Sequence, residues 1–204
     1  IVPRITCSNS YNIIYLIKSI KDLNRTKLNE REQDYVRKHL GKDKKETVAV
    51  NRLNQWVFVC LLSKKKPDHI RLEAMRKMGA KVHGWLNNHK AESVTLIDFT
   101  VKGPIILAFV EGMGLASYQF LKYKKDQDKE KFSLTELKIS SHIIKKEEVD
   151  DLNIIIEAVN HCRDMVNEPV SALNAEKLAN IAKDLGVACG ARVEIFGKKK
   201  IKYF

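Results

Sequence analysis

The sequence predicts an α/β protein, a sandwich around one mixed, largely parallel sheet with helices on both faces. Strand-like and helix-like patterns alternate along the 204 residues, which is the order that builds such sheets. The run at residues 55–62 places Trp56, Phe58 and Cys60 on one face and equally apolar residues on the other. A strand that is apolar on both faces is typical of a sheet covered on both sides.

The remaining strands are predicted from short apolar runs bounded by polar or turn-forming residues. They fall at residues 11–17, 47–50, 93–99, 134–144 and 192–196. Residues 126–131 are dense in charge and predict an exposed loop between two elements. No internal repeat and no low-complexity linker interrupts this order.

Three features mark the first helices. Asn29 and Glu32 have the spacing of a capping box, which predicts a polar helix ending near Leu40. Pro67 suits the first turn of a long helix. The expected core stripe of that helix is Ile70, Ala74, Met78, Val82 and Trp85. A further buried helix is predicted through Ile105, Phe109, Gly112, Ala116 and Phe120, continuing to Lys124.

The last part of the chain predicts helix, short connection and helix. Pro169 cannot donate a backbone N–H and disfavours helical angles at Glu168, so the first helix should end by Asn167. Asn174 suits the N-cap of the next helix, and Gly186 suits its end. The expected apolar stripes are Leu152, Ile155, Val159, Cys162 and Val166 in the first helix, and Leu178, Ile181, Ala182 and Leu185 in the second.

Composition restricts the class of protein. No apolar run approaches the about 20 residues that cross a bilayer, so no membrane partner is expected. The four cysteines are far apart, which favours a reduced chain with Cys60 and Cys162 buried. The net charge of +12 comes largely from lysine clusters at residues 42–45, 64–66, 122–125 and 198–200. Solvated lysines explain these clusters, and a nucleic-acid surface is the alternative, although arginines and interleaved aromatic residues are few.

Candidate chemistry is sparse. Gly112 and Gly114 with Ser117 nearly match a dinucleotide-binding fingerprint, but the third glycine is missing and close helix packing explains the small residues better. His83 and His89 are six residues apart on different helix faces, which predicts surface or capping histidines rather than metal ligands. The acidic run at residues 147–151 suits a helix N-terminus. The sequence therefore predicts no catalytic residue and no metal ligand in this chain.

One segment carries a specific resemblance. Arg163, Asp164, Asn167, Glu168 and Pro169, followed by Asn174, resemble the signature that joins the two domains of leucyl aminopeptidases. Met165 stands where that family usually has leucine, and Asn174 where it usually has a capping threonine. The resemblance is clearest over residues 158–195 and weaker over 55–123.

The resemblance also covers residues 111–120 with Tyr123 and Lys124, which are similar to a helix of the family's N-terminal domain. It implies a macro-domain-like fold, with residues 1–150 as the N-terminal α/β domain. Residues 151–204 would then be a helical connection and the start of the linker to a C-terminal catalytic domain beyond this chain. The sequence departs from the family at Leu61-Leu62-Ser63-Lys64, where a Gly-Leu-Gly-Lys turn is common.

The resemblance implies a metallo-exopeptidase that removes N-terminal residues from peptides in the cytoplasm. Two divalent ions, zinc or manganese, would be bound in the catalytic domain, and this segment would be inactive by itself. The implied partners are the chain's own catalytic domain, peptide substrates reached through it, and further copies in a homo-oligomer, a hexamer in the family. Two alternatives remain: a nucleic-acid-binding module with weak DNA affinity, and a macro-like nucleotide pocket, which the glycine-poor loop at Leu61 disfavours.

Overall fold

The computed structural model describes residues 4–6, 11–41, 45–62, 67–100 and 102–201. The strands are β1 (Arg4–Thr6), β2 (Asn12–Ile17), β3 (Thr47–Asn51), β4 (Trp56–Leu61), β5 (Ser93–Asp98) and β6 (Glu136–Ser140). The α-helices are α1 (Glu30–Gly41), α2 (Asp68–Asn88), α3 (Gly103–Ala116), α4 (Gln127–Glu130), α5 (Lys146–Asn167), α6 (Ala175–Ala188) and α7 (Lys198–Ile201). A 3-10 helix occupies Ile20–Arg25.

The described strands form one six-stranded sheet in the order β1-β6-β5-β2-β4-β3. All neighbours are parallel except β3 and β4, which pair as an antiparallel hairpin with Thr47 opposite Cys60 and Asn51 opposite Trp56. The turn of this hairpin contains Leu53 at a positive φ of 64°. The prediction of a mixed, largely parallel sheet is confirmed.

Two apolar cores lie on the two faces of the sheet. Ile14, Leu16, Phe58 and Cys60 point toward α2, α3 and α5. Tyr15, Ile17, Val57 and Val59 point the other way, where Leu23 of the 3-10 helix and Val36 of α1 cover them. Side chains alternate between faces along a strand, so β2 and β4 are buried on both sides. The helices on both faces predicted from residues 55–62 are therefore confirmed.

Helices α2 and α3 approach each other at glycines. A Cβ added at Gly79 would lie 2.1 Å from the Phe109 carbonyl oxygen, and one at Gly112 would lie 2.0 Å from that of Arg76. Arg76 Nε donates to Glu111 Oε2 at 2.7 Å beside this contact. The interpretation of Gly112 and Gly114 as sites of close helix packing is confirmed.

The predicted stripe of α2 is rotated by about one residue. Ile70 is 43% exposed, and Ala74 and Trp85 are only half-buried. Met78 and Val82 are buried as predicted, and Met75, Gly79 and Leu86 complete the buried face. The contact at Gly79 fixes which face of α2 meets α3. Apolar periodicity alone does not distinguish this face from the adjacent face of the helix.

The stripe predicted for α5 is wrong for a similar reason. Leu152 is buried as expected, but Ile156 is the buried neighbour, whereas Ile155 is 53% exposed and Val166 is 84% exposed. Cys162 is also exposed, contrary to the prediction of a buried thiol. The acidic residues Glu147 and Glu148 lie in the first turn of α5, as expected.

Several predicted boundaries are also corrected. Helix α3 ends at Ala116, where the Ser117 hydroxyl donates to the Gly114 carbonyl at 2.7 Å, so the predicted continuation to Lys124 is wrong. Strand β6 is shorter than the predicted 134–144, and the loop at 126–131 contains the single turn of α4. Residues 191–197 have no regular structure where a strand was expected at 192–196.

The fold separates into two compact units, Ile1–Asn160 and His161–Phe204. The first, called unit 1, contains the sheet and both cores, and the second, called unit 2, contains the end of α5 with α6 and α7. The division falls inside α5, ten residues after the boundary predicted at residue 150. Among the described residues, no helix combines the length and the apolar character needed to cross a bilayer.

Candidate functional site

The segment that carries the family resemblance begins at the end of α5. This helix ends at Asn167, as predicted, and Pro169 follows. The Asn167 side-chain amide donates to the Arg163 carbonyl at 2.8 Å, and the Glu168 N–H donates to the Asp164 carbonyl at 3.1 Å. The Asp164 carbonyl is one of the last four of the helix, which lack an intrahelical partner, and the second bond satisfies it.

A single tight turn connects α5 to α6. The Pro169 carbonyl accepts from the N–H groups of Ala172 and Leu173, each at 2.8 Å. Asn174 is extended, and its Oδ1 accepts from the Lys177 N–H at 3.0 Å. The prediction of Asn174 as an N-cap is therefore confirmed. Helix α6 runs through Gly186 to Ala188, and the left-handed residue is Gly190 at φ +77°, so the predicted stop at Gly186 is wrong.

The signature residues thus share one helix–turn–helix. Arg163, Asp164 and Asn167 lie in the last turn and a half of α5, Glu168 and Pro169 start the connection, and Asn174 ends it. Arg163 and Glu168 are half-buried, and the other four are exposed. The described bonds set the backbone path at two helix ends.

Unit 2 has no interior in the described part of the chain. Every side chain of residues 161–201 whose burial is described is exposed or half-exposed, including the stripe predicted to be buried in α6. Its exposed large apolar residues are Val166 (84%), Val170 (83%), Leu178 (46%), Leu185 (41%), Val187 (58%), Ile195 (40%), Phe196 (41%) and Ile201 (60%). Sequence patterning finds these residues as apolar but cannot say that they remain uncovered.

His83 and His89, the two histidines weighed as metal ligands, each pack against aromatic or amide side chains. His83 is 2% exposed, lies next to the Asn87 amide at 3.1 Å, and meets Phe132 edge-on with ring centroids 5.3 Å apart. Burial lowers the pKa of His83 to about 4. The prediction of a surface or capping residue is therefore wrong for His83, whereas His89 is the C-cap of α2 and stacks on Trp56.

The remaining candidate groups give no reactive centre. Cys60 is buried as predicted, and burial raises the pKa of its thiol to about 12, which leaves it protonated. No group of three metal-binding side chains occurs among the residues whose structure is described. These residues do not provide ligands for the two ions that the resemblance implies. Two of the lysine clusters lie outside the described residues, at 42–44 and 64–66. Ser63, in the segment where the sequence differs from the family's Gly-Leu-Gly-Lys turn, also lies outside them.

Comparison with known proteins gives a consistent set of relatives. The chain is 33% identical over 155 residues to a probable cytosol aminopeptidase of Clostridium perfringens, covering 71% of this chain and 31% of that protein. A probable cytosol aminopeptidase of Aquifex aeolicus is 29% identical over 148 residues, covering 71% of this chain and 30% of that protein. The chain is related to the N-terminal part of the leucyl aminopeptidase family. It spans less than a third of the length of these curated relatives.

A solved structure agrees in fold. A tomato leucine aminopeptidase mutant superposes with a TM-score of 0.73 and 14% identity, over 98% of this chain and 46% of that one. At this identity the likeness establishes the shared fold alone. No family model matches the sequence. The curated relatives confirm the resemblance to leucyl aminopeptidases inferred from residues 158–195. The interdomain role of its six signature residues stays a prediction.

Proposed function

We propose that this chain is the N-terminal, non-catalytic part of a leucyl aminopeptidase that removes N-terminal amino acids from peptides. The observation that carries the proposal is the match of 71% of this chain to only 31% of a cytosol aminopeptidase. The relative therefore has room for a catalytic part beyond the matched segment. That part would bind the two divalent metal ions, and unit 1 would serve assembly, access or regulation.

The exposed apolar surface of unit 2 supports a role as the joint to the catalytic part. Burying a large apolar side chain is worth about 1.5–3 kcal/mol, and ordering a residue costs about 1–2 kcal/mol of backbone entropy. None of the described side chains of unit 2 is buried. The segment therefore gains little burial free energy to offset the cost of ordering its backbone. Contacts from a following domain to residues such as Val166 and Val170 would supply the missing burial.

Two further properties belong to the same proposal. The names of the relatives favour the cytoplasm as the compartment. A homo-oligomer, a hexamer by family resemblance, is the assembly in which the joined protein would act. Size-exclusion chromatography with light scattering on the joined protein measures that assembly directly.

Hydrolysis of leucine p-nitroanilide tests the proposal. This chain is assayed with added zinc or manganese, and again after genetic fusion to the part of the Clostridium perfringens relative that follows its matched segment. We expect no hydrolysis by the chain alone and metal-dependent hydrolysis by the fusion. The unfused part of the relative serves as the control for activity that needs no N-terminal segment. Metal-dependent turnover by this chain alone would contradict the proposal.

A further inference from the structure

An open groove lies in unit 1 between the start of β3 and the outer side of α2. Its volume is about 640 Å³. Trp85 and Met78 of α2 give it an apolar base, and Lys45, Lys77 and Lys81 surround that base with positive charge. Glu46 is the acidic residue among its lining. The groove is therefore both aromatic and cationic.

The aromatic base is held in a fixed orientation. Trp85 is half-buried, and its ring centroid lies 5.8 Å from that of Phe58 at an interplanar angle of 43°. Phe58 is fully buried in the core between the sheet and α2. A tryptophan anchored along one side presents the rest of its ring as a rigid stacking surface.

The cations follow the same helix face. Lys77, Lys81 and Trp85 are spaced by four residues, which places them on successive turns about 6 Å apart along α2. Lys81 Nζ lies 5.7 Å from the centre of the Trp85 ring. Lys77 is 76% exposed and lies 3.6 Å from Glu73, an exposed pair that water screens strongly. The Lys77 ammonium can therefore turn toward an anion. Lys81 is exposed and lies over the Trp85 ring, so a base that stacks on this ring would displace the Lys81 ammonium toward the phosphate.

We propose that this groove binds a nucleoside phosphate, with the base stacked on Trp85 and the phosphate held by Lys77, Lys81 and Lys45. Stacking on an aromatic ring selects a flat base without selecting its identity, and lysine supplies a point charge for phosphate. The ligand is either a free nucleotide or one unit of a single strand. The site is independent of the aminopeptidase proposal because it uses only residues of unit 1.

Fluorescence anisotropy tests the site on the full chain. The probes are a labelled oligothymidylate of about eight nucleotides and adenosine 5′-monophosphate as competitor. We expect the Lys77→Glu/Lys81→Glu double variant to lose binding. We also expect Trp85→Leu, which keeps an apolar contact to Phe58, to weaken binding by about 5- to 150-fold. If Lys77 and Lys81 both contact phosphates, replacing both by neutral residues should reduce the slope of log K against log salt concentration by about 1.4, where K is the association constant for the oligonucleotide.

The matched control is Lys18→Glu/Lys21→Glu, which makes the same change of charge at two exposed lysines elsewhere in unit 1. It should bind as the unchanged chain does. Displacement of the oligonucleotide by adenosine 5′-monophosphate identifies a free nucleotide as a sufficient ligand, and failure of displacement identifies a strand. Binding of neither probe overturns the proposal, as does an equal loss in the control. Unchanged binding by a folded Trp85→Leu variant also overturns it.

Discussion

The glycine contacts between α2 and α3 give a prediction with a worked magnitude. In Gly112→Ala, the new methyl group would lie 2.0 Å from the Arg76 carbonyl oxygen and 2.6 Å from two more Arg76 backbone atoms, against 3.4–4 Å for ordinary contact. The obstructing atoms belong to a helix backbone, so the two helices must separate. Overpacking costs about 1–3 kcal/mol, and a backbone obstacle favours the upper end.

Alanine also gains about 1 kcal/mol over glycine in helix propensity. The expected net loss for Gly112→Ala is therefore about 2 kcal/mol, or a melting temperature lower by about 4–8 °C for a chain of this size. Gly84→Ala is the matched control on α2, because nothing lies within 4 Å of its added methyl group. That control should be stabilised by about 0.5–1 kcal/mol. Thermal and urea unfolding measure both variants, and equal stability of the two would refute the packing argument.

Three further predictions concern single groups. Cys60 should resist a water-soluble thiol reagent until the chain unfolds, whereas Cys162 and Cys189 should react in the folded state; mass spectrometry of the labelled peptides checks this. Because the pKa of His83 is lowered from 6.5 to about 4, its contribution to stability is complete above pH 6.5 and is lost as the pH falls toward 4. His83→Gln should flatten that part of the stability profile, and an unchanged slope would contradict the assignment. Asn174→Ala should cost about 1 kcal/mol at the α6 cap, measured by urea unfolding.

The sequence predicted the helix caps and helix ends correctly where they depend on hydrogen bonds between residues close in the chain. Asn29 and Glu32 form the expected reciprocal capping box, with backbone-to-side-chain distances of 2.8 and 3.0 Å. Pro169 and Asn174 mark the end of one helix and the start of the next. Each feature depends on residues a few positions apart, so no knowledge of the tertiary packing is needed.

The rotation of helices about their own axes could not be predicted in the same way. In α5, Ile155 and Ile156 are adjacent and equally apolar, but only Ile156 is buried. It packs closely on α3, where a Cβ added at Gly114 would lie 2.4 Å from the Ile156 Cδ1 atom. Such contacts join residues far apart in sequence. His83 was misjudged for the same reason, because a buried histidine needs partners such as Asn87 and Phe132 that periodicity does not reveal.

The candidate site shows where sequence reasoning stops. The residues of the Arg163–Asn174 segment were identified from the sequence, and their helix–turn–helix arrangement followed from Pro169 and Asn174. Exposure of Val166 and Leu178 was not foreseen, because an apolar stripe predicts burial without naming the surface that covers it. In unit 2, no described residue buries these apolar side chains.

Hydrogen exchange tests the central claim, that residues 161–201 depend on contacts supplied by the rest of an aminopeptidase. The measurement compares amide protection in α6 with that in α2 and α3, in this chain alone and in the fusion to the part of the relative that follows its matched segment. We predict rapid exchange in α6 of the chain alone, slow exchange in α2 and α3, and strong protection of α6 in the fusion. Protection of α6 in the isolated chain equal to that of α2 would contradict the account.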